Sequence, residues 1–526
     1  MRWLWLGLWL FALVWGAEGY LELERALASR DRAALLRLAE GGCYEGVLAA
    51  RALAEDAGLS PEERARWVAR VLELEGAAAR LWAAGVYEAL GLGDEAARLY
   101  RAELLRPEAV AGLLRLARGG SEEAARGLLA ARRYEEALAY TRDPLTRGRA
   151  LLALGRAEEA LSYLEKSPAL LGRAYLALGQ LEKARRAFAE AGDLLSLGKV
   201  LLRLGRREEA VRTLLAAGAR GRFEAAGVLE AEDPRRALSL YLELARGDSA
   251  LADDAAFRAH VLAGRLGDEA ARKEAFALVG GGLGLLLGKP LPPLRVEPLP
   301  RAPAELGRVR WLLARGRRDW ALGEARCRAR RARGEERRAW AWVLSALGDH
   351  HLAARYGGVR LRYATPWREA VFAEARRRRL DPWLLYAVMR VESAFDPEAV
   401  SPTGARGLYQ FTASTWEEVA ARLGTPDARP TDPEAAIRFG AYYLAWLRDL
   451  FEGDLRLAVM AYNGGPGYVR RGLRAYGSFE DLLRFAPRDE PREYLAKVWR
   501  DYAVYRALAR VPRRPPAFLE GFPPPP

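Results

Sequence analysis

LALGRAEEA (Leu152–Ala160) recurs as LALGQLEKA (Leu176–Ala184) and as LRLGRREEA (Leu202–Ala210). Each copy sets a glycine turn before a short helical pattern that ends on alanine. The matching alanines, Ala137, Ala160, Ala184, Ala210 and Ala237, step by 23, 24, 26 and 27 residues. A small side chain at a fixed point lets two helices approach closely, and glycine supplies the left-handed turn between them. One such pair cannot bury its own apolar face, so neighbours must stack. The repeat therefore predicts a curved α-superhelix over residues 18–288, and an all-α chain.

The style is similar to a tetratricopeptide solenoid, with a shorter period. Such a region offers an extended surface, and binding of peptide partners is its commonest use. Two stretches interrupt the pattern. The proline-rich GKPLPPLRVEPLPRAP ends at Pro303 and reads as an extended connector over 289–303. Residues 304–361 return to helices and read as a linker subdomain that closes the superhelix. Residues 362–512 form a terminal domain, followed by a proline-rich tail over 513–526.

The chain has 526 residues, 51% hydrophobic and 29% charged, with a net charge of +14. This composition excludes a mostly disordered protein and fits an acidic or polyanionic partner. The first residues, MRWLWLGLWLFALVWGAEGY, carry one early positive charge, an apolar run from Trp3 to Trp15, then Gly16 and Ala17. That is the layout of a secretory signal over 1–17; an uncleaved N-terminal anchor is the alternative. Either way the chain is exported, to the periplasm or cell envelope, and peripheral membrane association is compatible with it. Export removes nucleic acid as the partner of the basic run RCRARRARGEERRAWAW, Arg326–Trp342.

Cys43 and Cys327 could pair in an oxidising compartment or stay as two buried thiols. Neither they nor His260, His350 and His351 have metal-ligand spacing, so no metal or cofactor is expected. GGGLGLLLGKP, Gly280–Pro290, fails as a phosphate loop because Leu283 and Pro290 occupy key positions.

In DPWLLYAVMRVESAF, Asp381 is a good N-cap and Pro382 suits the first helical position. At 100° per residue, Leu384, Leu385, Val388, Val391 and Phe395 form one stripe, and Glu392 falls inside it. Burial there disfavours the carboxylate and raises its pKa, as a general acid near neutral pH requires. Asp396, before Pro397, reads as a turn residue rather than a second catalytic acid.

ESAFDPEAVSPTGARGLYQF (Glu392–Phe411), AYNGGPGYV (Ala461–Val469) and EPREYLAKV (Glu490–Val498) resemble, in this order, the three signature blocks of soluble lytic transglycosylases. The resemblance covers about 150 residues and departs from the family at Tyr409, where GLMQ has Met, and at Gly464. It implies a lysozyme-like catalytic domain behind the superhelix. It also implies cleavage of the β-1,4 bond between N-acetylmuramic acid and N-acetylglucosamine in peptidoglycan, with a 1,6-anhydro end. Glu392 would act alone, first as acid and then as base, in contrast to the usual pair of carboxylates in glycosidases. Ser393, Gly407, Tyr409, Gln410, Tyr462, Asn463, Glu490 and Tyr494 are the substrate-binding candidates. Peptidoglycan glycan strands are the expected partner, with other cell-wall enzymes as further partners through the superhelix. The alternatives are a hydrolytic muramidase of goose-type lysozyme character and a non-catalytic cell-wall scaffold.

Overall fold

The computed structural model describes residues 17–41, 43–104, 106–485, 489–511 and 514–523, so the expected signal segment lies, except for Ala17, outside the described residues. Among the described residues there is no β-strand, only isolated bridges Val400–Arg406 and Arg406–Phe411. No helix among them is long and apolar enough to cross a membrane.

Ten helices are labelled here: α1 Glu18–Ser29, α2 Tyr44–Glu55, α3 Ala252–Leu266, α4 Gly281–Leu286, α5 Leu306–Ala314, α6 Arg318–Arg331, α7 Pro382–Ser393, α8 Pro433–Leu450, α9 Leu455–Gly464 and α10 Asp489–Leu508.

The repeat does build a solenoid, each helix packing on the next along the chain. All five matching alanines are fully buried. The turn glycines Gly155, Gly179 and Gly205 have φ of 77°, 71° and 76°, the left-handed region anticipated for them. The repeat holds a second small residue that the alanine spacing did not reveal. A methyl group on Gly148, Gly172 or Gly198 would come within 2.6 to 2.7 Å of Leu164, Phe188 or Leu214. Each unit therefore interlocks a glycine of one helix with a large apolar side chain of the next.

The linker subdomain packs against the N-terminal end of the solenoid. Its helices α5 and α6, together with the following helix Gly334–Ala346, share a hydrophobic core with the N-terminal helices, through Trp311, Leu312, Ala325 and Trp340 on one side and Tyr20, Leu21, Val47 and Trp67 on the other. Cys43 and Cys327, left open by the sequence, form a disulfide across this seam with a Cα–Cα distance of 5.9 Å. Beside it Glu324, fully buried, accepts hydrogen bonds from Tyr20 Oη (2.8 Å), Arg308 Nε (2.8 Å) and Arg328 Nε (2.9 Å). Arg308 also pairs with Glu45, and Glu24 on α1 pairs with Arg315 and Arg317. Replacing either cysteine by serine is expected to lower the stability of the seam by about 2–4 kcal/mol, because the crosslink limits the unfolded chain. A lower urea midpoint for the variant, compared with the oxidised parent, checks this.

At the other end the boundary drawn at residue 288 does not separate two cores. Residues from Val211 to Leu283 and residues from Ala354 to Leu508 pack in one continuous apolar cluster. The glycine-rich stretch dismissed as a phosphate loop forms α4 and lies directly on α10.

Candidate active site

Helix α7 begins as the sequence indicates: Asp381 accepts from the Trp383 N–H at 2.9 Å and Pro382 occupies the first turn. Its other carboxyl oxygen accepts from Tyr502 Oη of α10 at 2.8 Å. The single apolar stripe is too narrow a description. Leu384 through Met389 are all fully buried, so α7 is a central helix enclosed on every side. Phe395 is buried too, but beyond the helix end, because Ala394 and Phe395 take φ of 48° and 69°. Two consecutive non-glycine residues in this region, directly after Ser393, are costly and persist where surrounding packing dictates them.

Glu392 stands in the last turn of α7. The residue is half-buried, yet its carboxyl sits against Tyr494, whose Oη donates to Oε1 at 2.6 Å. Burial pushes the Glu392 pKa up to about 7, and the Tyr494 hydrogen bond opposes that rise. Tyr462 of α9 and Tyr494 of α10 stack parallel, with ring centroids 6.3 Å apart and planes at 4°. Both phenols are held well above their usual pKa, first by burial and then by the charge of Glu392. They therefore stay protonated around it. Phe411 and Tyr443 extend this aromatic wall, at 6.0 and 5.5 Å from Tyr462.

The exit loop is fastened from within. Ser393 is buried, and its Oγ lies 3.2 Å from Met389 O and 3.0 Å from Leu408 O, facing the loop. Gln410 has φ of 49°, and its Nε2 donates to Ala399 O and Gly407 O at 3.0 and 2.9 Å. Gly407 has φ of 75° and passes so close to Pro430 that a methyl there would sit 2.0 Å from the carbonyl oxygen. Tyr409 differs most from the expectation of a residue that stacks on sugar. It is 1% exposed, its Oη donates to Leu385 O at 3.2 Å, and its ring fills the space over Gly440. Its backbone carbonyl accepts from Tyr462 Oη at 2.9 Å. The side chains of Ser393, Tyr409 and Gln410 thus fasten the loop that follows Glu392.

Asn463 is exposed at the end of α9 and Glu490 is exposed at the start of α10. Asp396 is the turn residue expected, accepting from the Glu398 N–H at 2.9 Å. Arg390 and Asp501 were given no role in the sequence. Fully buried Asp501 of α10 pairs with Arg390, and Arg390 Nε donates to Arg362 O at 2.8 Å. An arginine two residues before Glu392 in an otherwise apolar helix was the available signal. Among the described residues no group of three or more His, Cys, Asp or Glu side chains is placed to hold a metal.

Residues 369–485 match the family model described as Transglycosylase SLT domain, a span that holds Glu392 and Tyr462 and stops before Tyr494. The soluble lytic murein transglycosylase of Salmonella typhimurium is 35% identical over 127 residues, 23% of this chain and 20% of that one. Membrane-bound lytic murein transglycosylase C of Cronobacter sakazakii is 31% identical over 214 residues, 32% and 59% of the two chains. The chain thus spans about a fifth of the first relative and under two thirds of the second. Among solved structures, the lytic transglycosylase Slt of Pseudomonas aeruginosa aligns with 94% of this chain and 87% of its own, at 22% identity and a TM-score of 0.42. Over residues 369–485 the chain is thus similar to the transglycosylase SLT domain family.

Proposed function

We propose that the protein is an exported lytic transglycosylase that cleaves the β-1,4 bond between N-acetylmuramic acid and N-acetylglucosamine in peptidoglycan. The observation that carries the reading is Glu392, a carboxyl raised to about 7 by burial and held by Tyr494. Near neutral pH such a group is present in both forms, so one residue can give a proton and then take one. The protonated carboxyl donates to the glycosidic oxygen as the bond to the muramic C1 breaks. The resulting carboxylate accepts the proton of that sugar's C6 hydroxyl as its oxygen bonds to C1, closing the 1,6-anhydro ring. Glu392 ends protonated, as it began, and no water is consumed.

Asn463 and Glu490, both exposed, are the members of the expected substrate-binding set whose side chains are open to a sugar. Tyr462 stacks on Tyr494 beside Glu392, while Ser393, Gly407, Tyr409 and Gln410 shape the loop that follows it. Export follows from the sequence of residues 1–17, and the net charge of +14 suits an acidic wall polymer.

Mass spectrometry of the products released from purified sacculi tests the reaction. Anhydro ends are expected; reducing ends that have gained water would make the protein a muramidase instead. Tyr494→Phe removes the bond that favours the Glu392 carboxylate and leaves burial unopposed, so Glu392 is expected to titrate above about 7. The pH profile of kcat/KM reads this as an alkaline limb moved to higher pH, with lower activity on the acidic side of it.

A further inference from the structure

Helix α10 is held from two sides. On one side lies the superhelix: Arg492, 1% exposed, pairs with Asp254 of α3 at 2.9 Å, and Gly282 of α4 lies against Ala496. A methyl group on Gly282 would come within 1.7 Å of the Ala496 carbonyl oxygen and 2.8 Å of its Cα, so backbone meets backbone there. On the other side lies α7, reached by the Tyr494 hydroxyl. At 100° per residue, positions 492 and 496 share a face, and position 494 points about 160–200° away from both. The superhelix thus presses on the back of the turn whose front carries Tyr494.

Resting on the reading of Glu392 as the acid, we propose that Asp254 and Gly282 of the superhelix are positioning residues for Glu392, setting through α10 the distance between the Tyr494 hydroxyl and the carboxyl. The groups that titrate and face Glu392 are Tyr494 from α10 and Tyr462 from α9; Asp396 on the exit loop turns to the Glu398 N–H. A hydrogen bond of 2.6 Å tolerates little displacement, and a shift of about 1 Å at a reacting group can cost on the order of 100-fold in rate. The solenoid would then be part of the mount of the catalytic acid.

The test compares Asp254→Asn, Tyr494→Phe and the double variant in the full chain, on soluble glycan fragments of peptidoglycan. Asp254→Asn is expected to lower kcat by about 10-fold or more with KM within about 2-fold, and to move the alkaline limb upward as Tyr494→Phe does. Added to Tyr494→Phe, it should cost little more, because both act through the same hydroxyl. Asp254→Glu, which keeps the charge, should restore most of the loss. Gly282→Ala, where it folds, should behave as Asp254→Asn. The inference is overturned if Asp254→Asn lowers only the unfolding temperature, with kcat and the limb unmoved, or if its effect adds fully to that of Tyr494→Phe. Activity retained by Glu392→Gln would instead end the underlying reading, so the two failures are distinct.

Discussion

Glu392→Gln is expected to abolish release of soluble fragments from purified sacculi, a loss of at least roughly 10²- to 10⁴-fold, while the protein stays folded. The amide keeps the shape and can still accept from Tyr494, but it can neither give nor take the proton. The same substitution should stabilise the fold at high pH. Glu392 titrates at about 7 in the folded protein, above its ordinary value of 4.5, so the native state holds this proton where the unfolded chain releases it. Stability therefore falls as pH rises from about 4.5 to 7, and the penalty is complete above 7. The amide of the variant carries no such penalty, so Glu392→Gln should exceed the parent by on the order of 2–3 kcal/mol at pH ~8 and match it near pH ~4.5. Thermal unfolding at the two pH values measures the difference. Equal stability at the higher pH would mean that Glu392 is solvated, and the acid role would lose its physical basis.

Glu324→Ala should have the largest effect on the fold. Glu324 is fully buried in the seam between α1, α2 and α5, α6 and holds Arg308, Arg328 and Tyr20 together. Burial alone would neutralise it, but Arg308 and then Arg328 outweigh burial and keep its pKa below the usual value. Removing the carboxylate strips two guanidinium groups of their shared acceptor in an apolar seam. Breaking a buried pair in this way costs about 3–5 kcal/mol. The loss should be seen as a lower urea midpoint and as faster proteolysis of the N-terminal helices. For the parent the sign with pH follows from the lowered pKa: this stabilisation is complete above about 4.5 and is lost as pH falls below it. An unchanged midpoint in the variant would mean that Glu45 and the disulfide hold the seam without Glu324.

The two predictions concern residues of very different legibility. Glu392 could be found from the sequence because its surroundings are local. A helix with a clear cap, a carboxyl near its end and a loop rich in glycine are all read within a few turns of chain. Glu324 could not, because it stands two residues before the basic run that starts at Arg326, where nothing local separates a buried carboxylate from a solvated one. Its burial depends on α1 and α2, which lie at the far end of the chain from it.

The surroundings of Glu392 show the same division. Gly407 has a φ of 75°, a conformation that its residue type allows. Ala394, Phe395 and Gln410 adopt similar angles without being glycine, so no residue type marks them. Tyr409 looked like a sugar platform because tyrosine suits that role. It is a buried brace because Gly440 of α8, well beyond it in sequence, leaves a space that its ring fills.

By itself the sequence determined the helical class, the solenoid, the capped helix and the acid at its end, since each rests on periodicity and short-range backbone preference. Only the tertiary structure decided which side chains face inward and what closes on what. The disulfide between Cys43 and Cys327, the grip of Gly282 on α10 and the hydroxyl of Tyr494 on Glu392 all join residues far apart in the chain. Such contacts are set by packing of whole elements, where a hydrogen bond or a missing methyl group matters at the scale of an ångström and no local pattern records it.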